Sequence, residues 1–282
     1  MNIQGLRAVV TGGAMGIGLA TVKRLLAEGC SVAVWDYNEK AIDTARAELE
    51  DEPPPATASG GRALFLRCDV TSCEAVESAA RETVRELGGV DILVNNAGTV
   101  VAGLFHESDL DAQRRLVDVN LNALLFTTRA FLPGMYERNS GVIVNISSAA
   151  GALGVAGQAV YSATKWAAWG FTESLRHEAR NLGKRVHVAS VHPSYIAHGL
   201  FEGARLAGLG GLIVPRVKSH DVVARAIVKR AIRRRKTVVF RPRSVRVAVL
   251  LRGILPDRLF FHVIRGLNVH TSMQSFSGRN HA

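Results

Sequence analysis

The chain has 282 residues, 48% of them hydrophobic, which supports a substantial core and excludes a disordered or fibrous class. Its three cysteines, Cys30, Cys68 and Cys73, form an odd, sparse set without metal-ligand spacing, so a reducing compartment is expected and no metal site. The net charge of +11 is concentrated in residues 216–282, which hold 16 Lys or Arg against Asp221 and Asp257, whereas a nucleic-acid enzyme would spread its basic groups around a cleft.

The first predicted strand, Ala8–Thr11, lies so near the start that no signal peptide is expected, and no long uncharged apolar window predicts a membrane-spanning helix. The strand leads into Thr11-Gly12-Gly13-Ala14-Met15-Gly16-Ile17-Gly18, followed by Leu19, Val22, Leu25 and Leu26 at helical spacing. Glycines allow a tight turn and close backbone approach, and the helix N-terminus offers free N–H groups to a pyrophosphate. The second strand, Ser31–Asp36, ends on a carboxylate eighteen residues beyond Gly18. That carboxylate can accept from both hydroxyls of an adenosine ribose and would repel a 2′-phosphate. Neither Met15 nor Tyr37 supplies a cation for such a phosphate, so NAD is expected over NADP.

An exposed loop is predicted over Asp51–Gly61, with Pro53, Pro54 and Pro55. The third strand, Ala63–Arg67, is followed by Cys68-Asp69-Val70, placed to meet the adenine; the fourth, Ile92–Asn95, by Asn96-Ala97-Gly98, placed to bring backbone to the dinucleotide. After Asn120 come a fifth strand, Val142–Ser147, then Ser148, then Tyr161 and Lys165, four apart and so on one face of a helix. A phenol is a poor base at neutral pH, and an adjacent ammonium is expected to favour its phenolate. The sixth strand, Val186–Val191, precedes a Gly-rich apolar stretch from Pro193 to Ser219, read as a substrate lid; the seventh is Thr237–Phe240. This alternation predicts a single Rossmann-like, doubly wound parallel α/β sheet with helices on both faces over residues 1–240. Residues 241–282 are read as a basic, apolar, helical extension.

Thr11–Gly18, Asn95–Gly98, Asn120, Ser148 and Tyr161-x-x-x-Lys165 together resemble the short-chain dehydrogenase/reductase family over about residues 5–240. The resemblance implies an NAD-dependent oxidoreductase acting on an alcohol or carbonyl. Tyr161 would be the general acid/base, Ser148 would bind the substrate oxygen, Lys165 would hold the nicotinamide ribose, and Asn120 would steady a proton-relaying water. Ser147 is the neighbouring alternative to Ser148. The implied cofactor contacts are Gly12, Met15, Gly16, Ile17, Gly18, Asp36, Asp69, Val70, Asn96, Gly98, Tyr161, Lys165 and Ile196. One departure stands out: Pro193-Ser194 replaces the family's Pro-Gly, and His198 takes the place of the Thr that follows.

The tail is similar, more loosely, to the retinol and steroid dehydrogenase branch, through Phe240-Arg241-Pro242-Arg243, Gly253-Ile254-Leu255-Pro256 and Met273-Gln274-Ser275-Phe276. That similarity implies a retinoid, steroid or long-chain alcohol as substrate, and the family a homodimer or homotetramer. The competing reading is a non-catalytic NAD(H) sensor or peripheral membrane protein. Location is expected to be cytoplasmic, with the Arg-bearing apolar tail a candidate contact for an anionic membrane.

Overall fold

The computed structural model describes residues 1–51, 61–196, 199–204, 206, 208–273 and 276. Seven parallel strands form one sheet: β1 (Arg7–Thr11), β2 (Ser31–Asp36), β3 (Ala63–Arg67), β4 (Ile92–Asn95), β5 (Gly141–Ile146), β6 (Val186–Pro193) and β7 (Val238–Arg241). The helices are α1 (Gly16–Ala27), α2 (Glu39–Asp51), α3 (Cys73–Leu87), α4 (Leu110–Val117), α5 (Ala123–Glu137), α6 (Ala159–Asn181), α7 (Gly208–Ile213), α8 (His220–Ala226), α9 (Val245–Ile254) and α10 (Asp257–Gly266). All seven predicted strands form. β6 runs beyond its predicted end because His192 and Pro193 still pair with Phe240 and Arg241 of β7. The loop predicted over 51–61 lies mostly at 52–60, outside the described residues.

Successive strand side chains point to opposite faces, and here both faces are covered. Ala8, Val10, Val32, Val34, Ile92, Val94 and Val144 pack with Val22 and Leu25 of α1 and Val223 of α8. Val9, Ala33, Trp35, Leu93 and Ile143 pack the other way, with Val76 of α3, Phe131 and Met135 of α5 and Leu175 of α6. Each fully buried side chain of this kind contributes roughly 1.5–3 kcal/mol. The strands therefore read as unbroken apolar runs rather than as an alternation.

The strand order β3-β2-β1-β4-β5-β6-β7 reverses direction between β1 and β4. Their carboxyl ends diverge there and open the crevice in which such sheets bind ligands. Beyond β7, the extension folds back over the sheet edge: Val245 is buried with Phe240 and Ala152, and the Tyr195 hydroxyl lies 2.8 Å from Ser272 Oγ. Among the described residues, no helix is long and apolar enough to cross a membrane, and no cluster of three or more His, Cys, Asp or Glu is placed to hold a metal.

Candidate active site

The turn after β1 takes its path from its glycines. Gly12 and Gly16 have φ of 58° and 57°, in the left-handed region where a side chain is strained. A Cβ on Gly18 would overlap the Gly12 carbonyl, and one on Gly13 would stand 2.8 Å from the Val10 carbonyl. The turn delivers the chain to α1, whose first turn carries no acidic residue and leaves its N–H groups facing the crevice end of the sheet. Asn96 closes the turn from β4, its side-chain amide donating to the Thr11 and Gly12 carbonyls at 3.0 Å each. Thr11 Oγ1 accepts from the Asn96 and Ala97 amides.

Asp36 is buried at the end of β2; its carboxylate accepts from the backbone N–H of Ala14 and of Asn38, both at 3.2 Å. It thus sits beside the Gly-rich turn. Asp69 is exposed and bonds locally to Thr71, whereas the Val70 side chain packs into the core with Cys68 and Val76. The glycine cradle, the helix N-terminus and the carboxylate fit a dinucleotide by their chemistry.

Tyr161 and Lys165 lie on the buried face of α6, with the Lys165 Nζ 5.7 Å from the Tyr161 ring centre. Ser148 follows β5 and caps a short turn, its Oγ accepting from the Ala150 amide at 3.2 Å. Its Oγ also donates to the Pro193 carbonyl at 3.4 Å, and it lies close enough to the Tyr161 hydroxyl to favour the phenolate. Asn120 sits on a π-helical turn, Asp118–Asn122, between α4 and α5. Widened turns of this kind re-aim side chains and recur at functional sites. Its carboxamide accepts from the Thr99 amide at 2.8 Å and donates to the Thr99 carbonyl and to Thr164 Oγ1. A Cβ on Gly98 would stand 3.3 Å from Asn120 Oδ1 and 3.4 Å from Lys165 Nζ, so these groups converge on one glycine.

Burial dominates the electrostatics of this cluster. It pushes the Tyr161 phenol above its ordinary range, with the Ser148 hydrogen bond pulling the other way. It brings Lys165 down to about 8, while the Nζ donates to the Ile146 carbonyl at 3.2 Å. The expected lowering of the phenol by the neighbouring ammonium is thus outweighed by desolvation of the ring.

Behind the reactive groups lies a polar scaffold. Asn95 and Asn145, paired across β4 and β5, bond to one another at 2.8 Å, to Thr127 and Thr128 of α5 and to Thr172 of α6. His192 is fully buried, with Nδ1 3.2 Å from the Ser148 carbonyl and Nε2 2.8 Å from Ser190 Oγ. Because a carbonyl only accepts, Nδ1 carries the proton and Nε2 accepts from Ser190. Burial brings this imidazole down to about 4 and keeps it neutral.

In front of Ser148 lies a narrow cavity of about 60 Å³. Its lining is largely apolar, with Leu153, Val155 and Phe201 on one side and Val245, Ile264 and Leu267 of the extension on the other. The Phe201 ring meets Tyr161 edge-on, centres 5.5 Å apart, and Tyr195 at 5.8 Å. Gln158 also lines the cavity; it is 1% exposed, and neither its Oε1 nor its Nε2 has a hydrogen-bond partner among the described residues.

Residues 7–206 match the short chain dehydrogenase family. The chain belongs to that family. This short-chain dehydrogenase is 31% identical over 280 residues to bovine short-chain dehydrogenase/reductase family 16C member 6, covering 99% of this chain and 85% of that protein. It is 31% identical over 281 residues to mouse epidermal retinol dehydrogenase 2, covering 99% and 87%. Among solved structures, a short-chain dehydrogenase/reductase from Burkholderia phymatum in complex with NAD superposes with a TM-score of 0.76 at 25% identity, covering 90% of this chain and 94% of that one.

In this short-chain dehydrogenase, Asn120, Ser148, Tyr161, Lys165 and Gly98 come together as a cluster, and Gly12, Gly18 and Asn96 form the turn beside it. Ile196 is buried and bridges to Val217, on the strip of chain that carries Tyr195. His198 lies outside the described residues. His192, Gln158 and Phe201 were not legible in the sequence. Each is a lone residue without motif spacing, and only the packing of β6, α6 and the lid reveals where it lies.

Proposed function

We propose that this dehydrogenase interconverts a hydrophobic alcohol, of the retinoid, steroid or long-chain class, and its carbonyl, using NAD. The observation that carries this reading is a buried Tyr161 packed against Val155 and Phe201, which with Ser148 line a largely apolar cavity. Tyr161 transfers a proton to or from the substrate oxygen, and Ser148 Oγ donates to the same oxygen. A phenol kept protonated by burial is ready as an acid. As a base it depends on the Lys165 ammonium, which at neutral pH remains mostly charged below its value of about 8. Lys165 also holds the nicotinamide ribose, and Asn120 steadies a water through which the lysine exchanges protons with solvent. Gly12, Gly16, Gly18 and the α1 N-terminus would hold the pyrophosphate, with Met15, Ile17, Asn96, Gly98 and Ile196 along the dinucleotide. Asp36 would hold the adenosine ribose, and Asp69 and Val70 would flank the adenine. The bound dinucleotide would supply the two-electron acceptor or donor for the reacting carbon. Similarity to mouse epidermal retinol dehydrogenase 2 over nearly the whole chain supports the apolar substrate class.

Purified protein is expected to reduce NAD⁺ with an apolar alcohol, and Tyr161→Phe to abolish turnover while NADH binding, read by fluorescence, persists. Undiminished turnover in that variant would remove the mechanism, and NADH binding without turnover on any alcohol would favour a sensor.

A second reading concerns where the enzyme works. Leu212, Leu250, Ile254 and Phe261 are exposed on the lid and the extension, among the exposed Arg246, Arg252, Arg258 and Arg265. Apolar side chains ringed by arginine suit an anionic bilayer surface, from which a greasy substrate would pass to the cavity. Flotation with phosphatidylserine vesicles tests this, with Leu250→Glu/Ile254→Glu expected to abolish it and equal flotation speaking against it. Exposed Leu125 on α5 and Trp166 on α6 support a homodimer or homotetramer through those helices, which sedimentation of Leu125→Glu addresses.

A further inference from the structure

At the end of the sheet away from the proposed active site, a pocket of about 340 Å³ opens beside the starts of β6 and β7. Its polar lining is almost wholly cationic: Arg176 and Arg180 from the last turns of α6, Lys184 and Arg185 from the turn after it, and Arg235 before β7, with His187 of β6 at the back. The active-site end is roughly 23 Å away, at about 3.3 Å per residue along β6 from Val186 to Pro193. The two sites are separate.

Two observations point to an anion site. None of Arg176, Arg180, Lys184 and Arg185 has a carboxylate within 4.0 Å among the described residues, whereas Arg233 close by is paired with Glu28 at 2.9 Å. The Arg176 Nε and Nη2 are buried against the pocket without a hydrogen-bond partner. His187, 9% exposed, closes the back of the pocket. Buried donors without partners cost stability, and Arg180 repels Arg176 although Glu173 partly offsets it. Arg235 is held at the rim by its own bond to the Arg185 carbonyl at 3.3 Å. We infer that this pocket binds a phosphate-bearing small molecule, because planar guanidinium forks engage phosphate oxygens in pairs. The space equals on the order of ten water volumes at about 30 Å³ each, more than a bare phosphate fills, so an organic body accompanies the anion. The exposed apolar residues of the extension lie at the far end of β7, which favours a soluble ligand over a lipid headgroup.

The test is calorimetric titration of the full chain, saturated with NADH to block the cofactor site, using inorganic phosphate and pyrophosphate. Saturable binding is expected, stronger for pyrophosphate and weakened about tenfold or more in Arg176→Gln/Arg235→Gln, the loss that follows from removing charge-assisted hydrogen bonds. NADH affinity should be unchanged. Lys184→Gln, in a turn outside helix and strand, is a second variant should the double one fail to fold, and it should weaken binding in the same direction. Co-sedimentation with phosphatidic acid vesicles, lost in the same variants, would identify the phosphate as a lipid headgroup's. Absence of saturable binding, or equal binding in wild type and variants, overturns the site. So does a dimer that Arg176→Gln dissociates and phosphate does not, because the guanidinium partners would then belong to a second copy.

Discussion

The Ser147 hydroxyl donates to the Lys165 backbone carbonyl at 2.7 Å, tying the end of β5 to the turn of α6 that presents the lysine. A Cβ on Gly151 would crowd both groups, so strand end, short turn and helix meet with no room to spare. The adjacent Ser148 points the other way, toward Tyr161 and the cavity. Two neighbouring serines thus divide scaffold from chemistry. Ser147→Ala is expected to lower stability by about 0.5–1.5 kcal/mol, the net worth of one buried hydrogen bond, while leaving kcat within roughly tenfold. Ser148→Ala is expected to lower kcat about 10²- to 10³-fold with little change in thermal midpoint. Steady-state kinetics beside thermal melts distinguish the two, and the reverse pattern would assign the serines the other way.

His192 makes the fold sensitive to acid. Its imidazole titrates at about 4 in the folded chain against an ordinary value of 6.5. Between those values the unfolded chain binds the proton and the folded chain does not, so stability falls as pH drops from 6.5 to 4 and changes no further from this source below 4. His187, also near 4, acts in the same direction. Urea unfolding of wild type and His192→Asn between pH 7 and 4 checks this. The variant should start less stable at pH 7 and show a shallower slope, the remainder belonging to His187. An unchanged slope would mean that His192 does not open to solvent on unfolding.

The proposed preference for NAD rests on Asp36. On that reading its buried carboxylate would lie where NADP carries its additional phosphate, and two charges of like sign would oppose binding. Asp36→Asn should raise the KM for NAD⁺ about tenfold or more, since a hydrogen bond to a charged group contributes roughly 1.5–3 kcal/mol. The KM for NADP⁺ should fall, with kcat altered little. Because Asp36 also receives the Ala14 amide, a melt must show that the turn is intact. Parallel titrations with both dinucleotides decide it, and an unmoved ratio would place the ribose elsewhere.

The sheet was legible because a strand covered on both faces writes itself as an apolar run, as Val32–Trp35 and Ile92–Val94 do. The turn from Gly12 to Gly18 was legible because steric demands leave glycine few substitutes there, and Tyr161 with Lys165 because four residues make one helical face. What escaped depends on contacts far apart in sequence. Asn95 was read as the end of the fourth strand, but nothing in the sequence showed that its side chain pairs with Asn145. That the Val70 side chain packs into the core with Cys68 and Val76 was likewise not visible in the sequence. The tail's apolar residues left open whether they cover a pocket or face a membrane. Val245, Ile264 and Leu267 line the cavity, while Leu250 and Ile254 are exposed.

Gln158 links that cavity to substrate choice. A fully buried amide with both atoms unpaired is unfavourable in the free enzyme, and a substrate carrying its own polar group would supply the partner. Gln158→Leu should therefore leave the free enzyme as stable or more so, because an apolar side chain of similar size replaces an unsatisfied one. Its effect on turnover should depend on the substrate. A site built around a hydrogen bond rejects analogues lacking it far more strongly than an apolar pocket distinguishes one methylene. Paired alcohols, alike except for a second hydroxyl or carbonyl remote from the reacting carbon, are the measurement. Wild type should favour the bifunctional member in kcat/KM, and Gln158→Leu should lose that preference by raising its KM while sparing the monofunctional one. If both substrates change equally, Gln158 shapes the wall rather than reads the substrate.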